Sequence, residues 1–528
     1  MSRIVVAGVS KRIGGRLLFD GVSLTFNRGH RYGLTGPNGA GKSTFLKMIM
    51  GFEECSGDVS LPAHVGYLRQ DLGPYRSHTL LDVVMMGKES LWEVHCERES
   101  LYAGEMTEET GMRLGEVEEA FSHEGGYSAP SDAAALLTGI GIPDEMHEKR
   151  MEQIPQDLQF KAMLCQALFG GADALILDEP TNHLDLFSIQ WLEKFLLRYE
   201  GVLIVTSHDR HFLDAVTTDT SDIDYETIIL YPGNYSQMVK SKVQIRSSAE
   251  RDVKTREKQI ARLNEFIARF SAGTRASSVR SRAKEVEKLT PQELQQSNIQ
   301  RPYIRFPQAQ PSGATSLKVK RVSKGFGHPL FEKLQFELHR GDRLGIIGNN
   351  GVGKTTLMNI IAGALEPDHG EVCLGHNVQL GYMPQEHESL LREGNNMTLF
   401  DFLKTKKQGL YDEEVRAVLG RLLFSGDDAF KTLNVLSGGE RARLILATLM
   451  LQEPNLLLLD EPNNHLDLES VSALAEGLSC YEGTVILVGH DRHLMDKVAT
   501  KILSFEEGSF PRLYQGPLEE YIEDRDSR

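Results

Sequence analysis

Short apolar runs, β-branched or leucine-rich, alternate along the chain with longer stretches of helical spacing. ALIL and LLLL each lead into Asp-Glu-Pro, and VLIVTS and VILVG each run directly into a histidine. Such runs predict buried strands, and helices between them predict a mostly parallel α/β sheet. The whole pattern occurs twice, which makes the repeat the first fact of organisation. VSKRIGGRLLFDGVSLTF opens one copy at Val9 and VSKGFGHPLFEKLQF opens the other at Val322. Two domains are predicted, residues 1–235 and 316–528, with a linker over 236–315.

Two segments break the symmetry. From Gln70 to Ile154 the first copy is about 30 residues longer than the second is from Gln385 to Leu436. The excess is rich in Glu and Leu and poor in breakers, which predicts an inserted helical arm over about 88–128. In the linker, Ile260, Leu263, Ile267 and Phe270 recur at helical spacing, as do Val279, Ala283, Val286 and Leu289. Ser271 to Ser278, with Gly273, is the predicted turn of an antiparallel helical hairpin, and 300–316 reads as an irregular tether.

Composition narrows the function classes. The chain of 528 residues is 40% hydrophobic and 25% charged, as multidomain globular proteins are. No apolar run is long enough for a bilayer, and the first residues carry no secretion signal. Cys55, Cys96, Cys165, Cys373 and Cys480 stand singly, which suits a reducing cytoplasm and neither a disulfide framework nor a metal cluster. The net charge of −16 argues against nucleic-acid binding by the whole surface. Lys240 to Arg305 nevertheless holds 16 Lys/Arg against 7 Asp/Glu, the charge that contacts with a phosphate backbone need. Arg275, Arg280 and Arg282 fall in and just after the predicted turn. The arm is acidic instead, with Glu105, Glu108, Glu109, Glu116, Glu118 and Glu119, so protein or solvent rather than nucleic acid is its expected neighbour.

The candidate chemistry lies in the repeat. Gly36, Pro37, Asn38, Gly39, Ala40, Gly41, Lys42, Ser43 and Thr44 satisfy G-x-x-x-x-G-K-[ST] after a predicted strand. Gly348, Asn349, Asn350, Gly351, Val352, Gly353, Lys354, Thr355 and Thr356 do the same. Glycines let successive N–H groups wrap phosphates at a helix N-terminus. Lys42 and Lys354 would then reach the β- and γ-phosphates of ATP, and Ser43 and Thr355 would ligate Mg²⁺. Asp178 and Asp460, at strand ends, can hold the metal, and Glu179 and Glu461 can take a proton from attacking water. His208 and His490 are positioned to contact a γ-phosphate, and Gln70 and Gln385 to sense metal and water. Each residue alone is unremarkable surface chemistry; recurrence at matched spacing is what singles it out.

These motifs, with LSGGE at Leu436, resemble the ATP-binding cassette (ABC) ATPases over nearly the whole chain. Two cassettes joined by a charged linker, YPGNYSQ at 231–237, and the linker sequences FIARFSAGTRASSVRSRAKEVEKL and RPYIRF resemble the ABC-F family, in its YbiT-like branch. The resemblance implies head-to-tail pairing within one monomer, each ATP lying between one cassette's P-loop and the other's LSGG. Site one would combine Lys42, Asp178, Glu179 and His208 with Ser437, Gly438 and Gly439. Site two would combine Lys354, Asp460, Glu461 and His490 with Pro155, Gln156 and Asp157, where LSGG has become IPQD. An Asp beside a γ-phosphate is repulsive by about 1 kcal/mol or more. Drift in a site that only binds and selected asymmetry both account for IPQD. Phe326 matches the family's adenine-stacking aromatic, whereas Ile13 stands in its place in the first cassette, and Asn463 and Gly489 replace the usual Thr and Ser. The family also implies binding near the ribosomal E site in the ATP-closed state, contact with rRNA and ribosomal proteins, and a linker near P-site tRNA. The ATPase subunit of a membrane transporter and a DNA-repair ATPase are the alternatives. A basic interdomain hairpin is of no use to the first, and the second usually carries zinc modules or much longer coiled coils.

Overall fold

The computed structural model describes residues 3–69, 71–105, 107–270, 286, 300–386, 396–407, 409–505 and 510–526. Gln70, the predicted turn at 271–278, Arg280, Arg282 and the second linker helix apart from Val286 lie outside the described residues. No helix among the described residues is long and apolar enough to cross a membrane.

The first half begins with β1 (Arg3–Ile13), β2 (Arg16–Asn27) and β3 (Arg31–Thr35), then α1 (Lys42–Ile49), β4 (Ser56–Ser60) and β5 (Val65–Tyr67). The helical run α2 (Leu80–Met85), α3 (Glu89–Ala103), α4 (Glu108–His123), α5 (Ala129–Gly139) and α6 (Gln156–Leu168) follows. The half closes with β6 (Ala174–Leu177), α7 (Leu186–Leu197), β7 (Val202–Val205), α8 (Arg210–Val216), β8 (Asp219–Asp224) and β9 (Thr227–Pro232). Strands run in the order β5-β6-β7-β3-β8-β9, parallel except for β9. Every residue of β6 and β7 is buried, because helices or a second sheet cover both faces of a parallel sheet. The antiparallel sheet β2-β1-β4 caps one face with Phe19, Phe26 and Phe45 between, and α2 and α5–α8 cap the other.

The arm is the antiparallel pair α3 and α4, tied by Arg98 to Glu118 at 2.7 Å and Arg113 to Glu97 at 2.7 Å. Leu91 alone is buried on α3, so the pair holds chiefly at its base, where Arg98 lies 4.7 Å from the Phe121 ring. From Tyr235 to Phe270 a single helix, α9, runs 36 residues, about 54 Å at the α-helical rise.

The second half repeats the plan with β10 (Thr315–Phe326), β11 (His328–His339), β12 (Arg343–Gly348), α10 (Lys354–Ile361), β13 (His369–Leu374) and β14 (Leu380–Met383). Next come α11 (Leu399–Lys406), α12 (Asp412–Arg421), α13 (Gly438–Gln452), β15 (Leu456–Asp460) and α14 (Leu468–Ser479). Last are β16 (Thr484–Val488), α15 (Arg492–Val498), β17 (Lys501–Phe505), β18 (Arg512–Gln515) and α16 (Leu518–Asp526). The order β14-β15-β16-β12-β17-β18 matches that of the first sheet. The tandem α/β architecture is thus the expected one.

The halves exchange apolar side chains. Leu186, which opens α7, belongs to the core of the second cassette, and Leu468, which opens α14, belongs to the core of the first. Truncating a fully buried leucine costs about 2–5 kcal/mol. Leu186→Ala and Leu468→Ala should therefore each lower stability by that order and, in calorimetry, split the unfolding of the cassettes into separate transitions. A single unbroken transition in both variants would contradict this role.

Candidate functional site

The chemistry collects where adjacent strands end. The P-loops follow the central strands β3 and β12, Asp178 follows β6, Asp460 ends β15, and the histidines follow β7 and β16. This is the edge at which open α/β sheets bind ligands. Gly41 and Gly353 precede the P-loop helices at φ +98° and +102°, a conformation that favours glycine, and a Cβ on Gly41 would lie 2.9 Å from Phe19. The cradle therefore needs bare backbone. Ser43, Thr44, Thr355 and Thr356 occupy the first turns of α1 and α10. Ala40 and Val352 turn partly into the apolar cores behind the loops.

Each P-loop lysine is folded onto its own loop. Lys42 Nζ donates to the Gly36 carbonyl at 2.7 Å and to that of Pro37 at 3.4 Å. Lys354 Nζ donates to those of Gly348 and Asn349, both at 2.8 Å. Burial holds both ammonium groups below their ordinary range. A lysine ammonium drawn onto loop carbonyls at a helix N-terminus, with carboxylates nearby, suits a polyphosphate and its metal. The donor set fits Mg·ATP.

Glu179 and Glu461 lie at φ +52° and +50°, uncommon for non-glycine residues and a form of strain that gathers at functional sites. Burial pushes both carboxyls up to about 7. His208 Nε2 lies 3.2 Å from Glu179 Oε1, and the His208 N–H donates to Glu179 Oε2 at 3.1 Å. His490 Nε2 lies 3.2 Å from Glu461 Oε1. Burial, with Lys42 adding, lowers His208 to about 3, so the imidazole is neutral beside its glutamate.

The cassettes complete each other. A cavity of about 450 Å³ is bounded by Asn38, Gly39, Glu179 and His208 from the first and by Ser437, Gly438, Gly439 and Arg443 from the second. Another, of about 380 Å³, joins Lys354, Thr355, Gln385, Asp460, Glu461 and His490 to Asp157. Both fall within the size range of small-molecule sites. Phe326, half exposed, stands at the tip of the β10–β11 hairpin, and Ile13 at the matching tip.

The two sites differ in detail. Ser437 caps α13 and donates to Glu440 Oε2 at 2.7 Å, whereas Pro155 starts α6 without a side-chain cap. In the first cassette Thr206 Oγ1 donates to Asp178 Oδ1 at 2.7 Å and accepts from the Glu179 N–H at 2.8 Å, and the Thr181 and Ser207 hydroxyls meet at 2.8 Å. Val488, Asn463 and Gly489 hold the corresponding positions in the second. A Cβ on Gly489 would sit 3.7 Å from Asn463 Oδ1, so the larger amide fills room that the missing serine leaves.

Sequence reasoning named Asn38 and Asn350 only as members of the P-loops and passed over His183 and His465, which they meet across the interface. Asn38 Nδ2 donates to the His465 carbonyl and Asn350 Nδ2 to the His183 carbonyl, each at 2.9 Å. His183 and His465 have φ +63° and +66°. The doubled NHLD was the available signal. Behind site two, Lys161 Nζ lies 2.7 Å from Asp185 Oδ2, both buried, while the equivalent Arg443 faces site one.

What neither cassette holds by itself the other supplies, and that division of one hydrolytic site between two like domains defines a paired P-loop ATPase. The chain belongs to the family described as ABC transporter, whose model matches residues 19–182 and again 331–464, and within it to the ABC-F type. A second model with the same description covers 221–306. Over 507 residues, 95% of each chain, it is 42% identical to "Probable ATP-binding protein YbiT" of Escherichia coli O157:H7. It is 39% identical over 507 residues, 95% of this chain and 94% of that one, to "Uncharacterized ABC transporter ATP-binding protein YkpA" of Bacillus subtilis (strain 168). The archaeal ribosome recycling factor aABCE1, in a crystal structure with the archaeal ribosomal stalk protein aP1, superposes with a TM-score of 0.61 at 18% identity. That match covers 98% of this chain and 92% of that one, and it is a likeness of fold. The protein is an ATPase with two ATP-binding cassettes.

One titration is expected to report on the interface. Burial, with Asp467 adding, pushes Glu469 of α14 up to about 7, and the charges of Asp222 and Lys42 from the first cassette act on it. A raised carboxyl binds its proton more tightly in the folded state, so its stabilising effect is present at low pH and is lost as pH climbs from 4.5 towards 7. Glu469→Gln should flatten that fall in a comparison of thermal midpoints at acidic and mildly alkaline pH. An unchanged slope would refute the assignment.

Proposed function

We propose that both composite sites bind ATP with Mg²⁺ and that turnover is concentrated in site one. The reciprocal bonds from Asn38 and Asn350 carry this reading, because they align each P-loop with the other cassette's helix N-terminus. In site one Lys42 exchanges its loop carbonyls for the β- and γ-phosphates, and Ser43, Gln70 and Asp178 hold the metal. Bound Mg²⁺ supplies neutralisation of charge on the phosphates. Glu179 accepts or orients the proton of the attacking water, His208 contacts the γ-phosphate, and Ser437, Gly438 and Gly439 close over it. In site two Lys354, Thr355, Gln385, Asp460, Glu461 and His490 take the matching roles, with Phe326 stacking on adenine. Pro155 brings no N–H and no hydroxyl, and Asp157 brings an anion, so closure there is weaker.

Closure within one monomer would then serve as a timer: the ATP-closed form binds the ribosome near the E site, and hydrolysis releases it. The basic linker suits rRNA and P-site tRNA, and the whole reading fits a cytoplasmic protein acting on translation. The archaeal protein of the same fold is described as a ribosome recycling factor, which favours this partner over a transporter or DNA.

The double variant Glu179→Gln, Glu461→Gln should hold ATP, co-sediment with ribosomes in a nuclease-sensitive manner and arrest translation in an extract. Recovery with membranes, or with DNA alone, would overturn the ribosomal reading. Singly, Glu179→Gln should reduce steady-state turnover more than Glu461→Gln, by about tenfold or more if site one dominates. Equal losses would reject the asymmetry.

A further inference from the structure

Arg210 and Arg492 occupy equivalent positions, each two residues after a histidine proposed to contact a γ-phosphate, yet they do different work. Arg210 Nη2 donates to Ser236 Oγ at 2.9 Å, and its guanidinium lies 5.8 Å from the Tyr235 ring. Tyr235 and Ser236 begin the linker helix α9. Asp214, one turn further along α8, accepts from the Ser236 N–H at 2.7 Å and also from its hydroxyl, and Arg210 Nε approaches it at 3.6 Å. Tyr235 and Met238 are buried in the core of the first cassette, and Lys242 reaches Asp222 and Asp224 at 2.5 and 2.6 Å. The base of α9 is therefore joined to the short helix that follows His208.

The tether on the other side of the linker is joined as firmly to the second cassette. Pro302, Ile304 and Phe306 are buried alternately with exposed neighbours, as in an extended strand lying on a surface. The Tyr303 N–H donates to the Arg421 carbonyl at 2.8 Å, and Arg301 meets Glu476 at 2.7 Å. A Cβ on Gly477 would lie 2.6 Å from the Ile304 carbonyl, so the tether rests directly on the backbone of α14. Helix α14 follows the His465 loop that meets Asn38, and α12, which carries Arg421, packs on the signature helix α13. Both attachments of the linker thus fall on elements of site one.

Arg492 turns elsewhere. Its Nη1 lies 3.6 Å from Glu193 Oε2 on α7, across the cassette interface. The residue equivalent to Glu193 in the second cassette is Ala475, which leaves Arg210 free to face the linker. Helix α16, which takes the place of α9 in the second cassette, also lies across α7, its Arg525 stacking 4.0 Å from Phe187.

We propose that Arg210, Asp214 and Ser236 couple the nucleotide state of site one to the position of α9, while Arg492 and Glu193 make site two's histidine helix a brace between the cassettes. The coupling rests on the reading of the linker as the effector of the cassettes, and it assigns the intact site to signalling and the altered one to holding the pair together. Arg210 and Asp214 are positioning residues, since neither lines the cavity of site one.

The test is hydrogen exchange across 235–242 in the full chain carrying Glu179→Gln and Glu461→Gln, with and without Mg·ATP and with no ribosome present. ATP should slow exchange there by about tenfold. Adding Arg210→Ala should reduce that ratio to under about twofold, and Ser236→Ala, a milder change, should reduce it in the same direction, whereas Arg210→Lys should restore part of it. Arg492→Ala should leave the α9 ratio in place while weakening ATP-dependent protection of α7. No ATP effect on α9 in the parent, a full effect in both Arg210→Ala and Ser236→Ala, or equal loss in Arg492→Ala would each overturn the coupling. Ribosome co-sedimentation of the same proteins separates this failure from a failure of the proposed function.

Discussion

The structure depends on the way one cassette closes the phosphate cage of the other. Each P-loop presents a lysine folded onto its own carbonyls and an array of N–H groups on one side only, and the opposite wall is a helix N-terminus of the other cassette. What holds that wall in register is modest and local. Two asparagine side chains reach histidine carbonyls at 2.9 Å, and Leu186 and Leu468 each fill a place in the other cassette's core. A neutral hydrogen bond contributes about 1 kcal/mol net and a buried leucine several times that. The apolar exchange therefore supplies the adhesion and the asparagines supply the alignment. The histidine loops that accept these bonds lie at positive φ in both copies, a cost the surrounding contacts sustain.

Symmetry in the scaffold makes the departures from it readable. Thr206 holds the acidic strand end of the first cassette and Thr181 pairs with Ser207 beside it, bonds that Val488, Asn463 and Gly489 cannot reproduce. Lys161 is neutralised by Asp185 and withdrawn from site two, whereas Arg443 faces site one. Substitution of LSGG by IPQD is thus one of several differences that run the same way. Glu193 against Ala475 extends the pattern beyond the sites, because Arg492 meets across the interface a carboxylate that has no counterpart for Arg210. Two equivalent arginines then meet different partners and tie the chemistry to different parts of the molecule.

The ABC-F family membership accounts for the architecture, and the physical asymmetry accounts for a division of labour within it. The arm buries a single residue of α3, and the base of α9 seats Tyr235 and Met238 in the first cassette. Their charges are opposite, the arm acidic and the linker basic, so a single surface would not suit both.

The sequence by itself determined what depends on neighbours in the chain. The P-loops are legible because Gly41 and Gly353 adopt backbone conformations that favour glycine, and the strands because a parallel sheet buried on both faces requires unbroken apolar runs such as ALIL and VLIV. The acidic pairs and histidines were legible because the repeat set them at one spacing twice, and head-to-tail pairing followed only through resemblance to a family. Tertiary structure decided the rest: which carbonyl each P-loop asparagine meets, that Lys161 pairs with Asp185, and that the ends of the linker seat on α8 and α14. Those contacts join residues as far apart as 427 positions, and nothing in the local pattern around Asn38 distinguishes a side chain that will find His465 from one that will face water. Local periodicity reports burial and turn geometry; partner choice across an interface is set by shape and charge that exist only once both cassettes have folded.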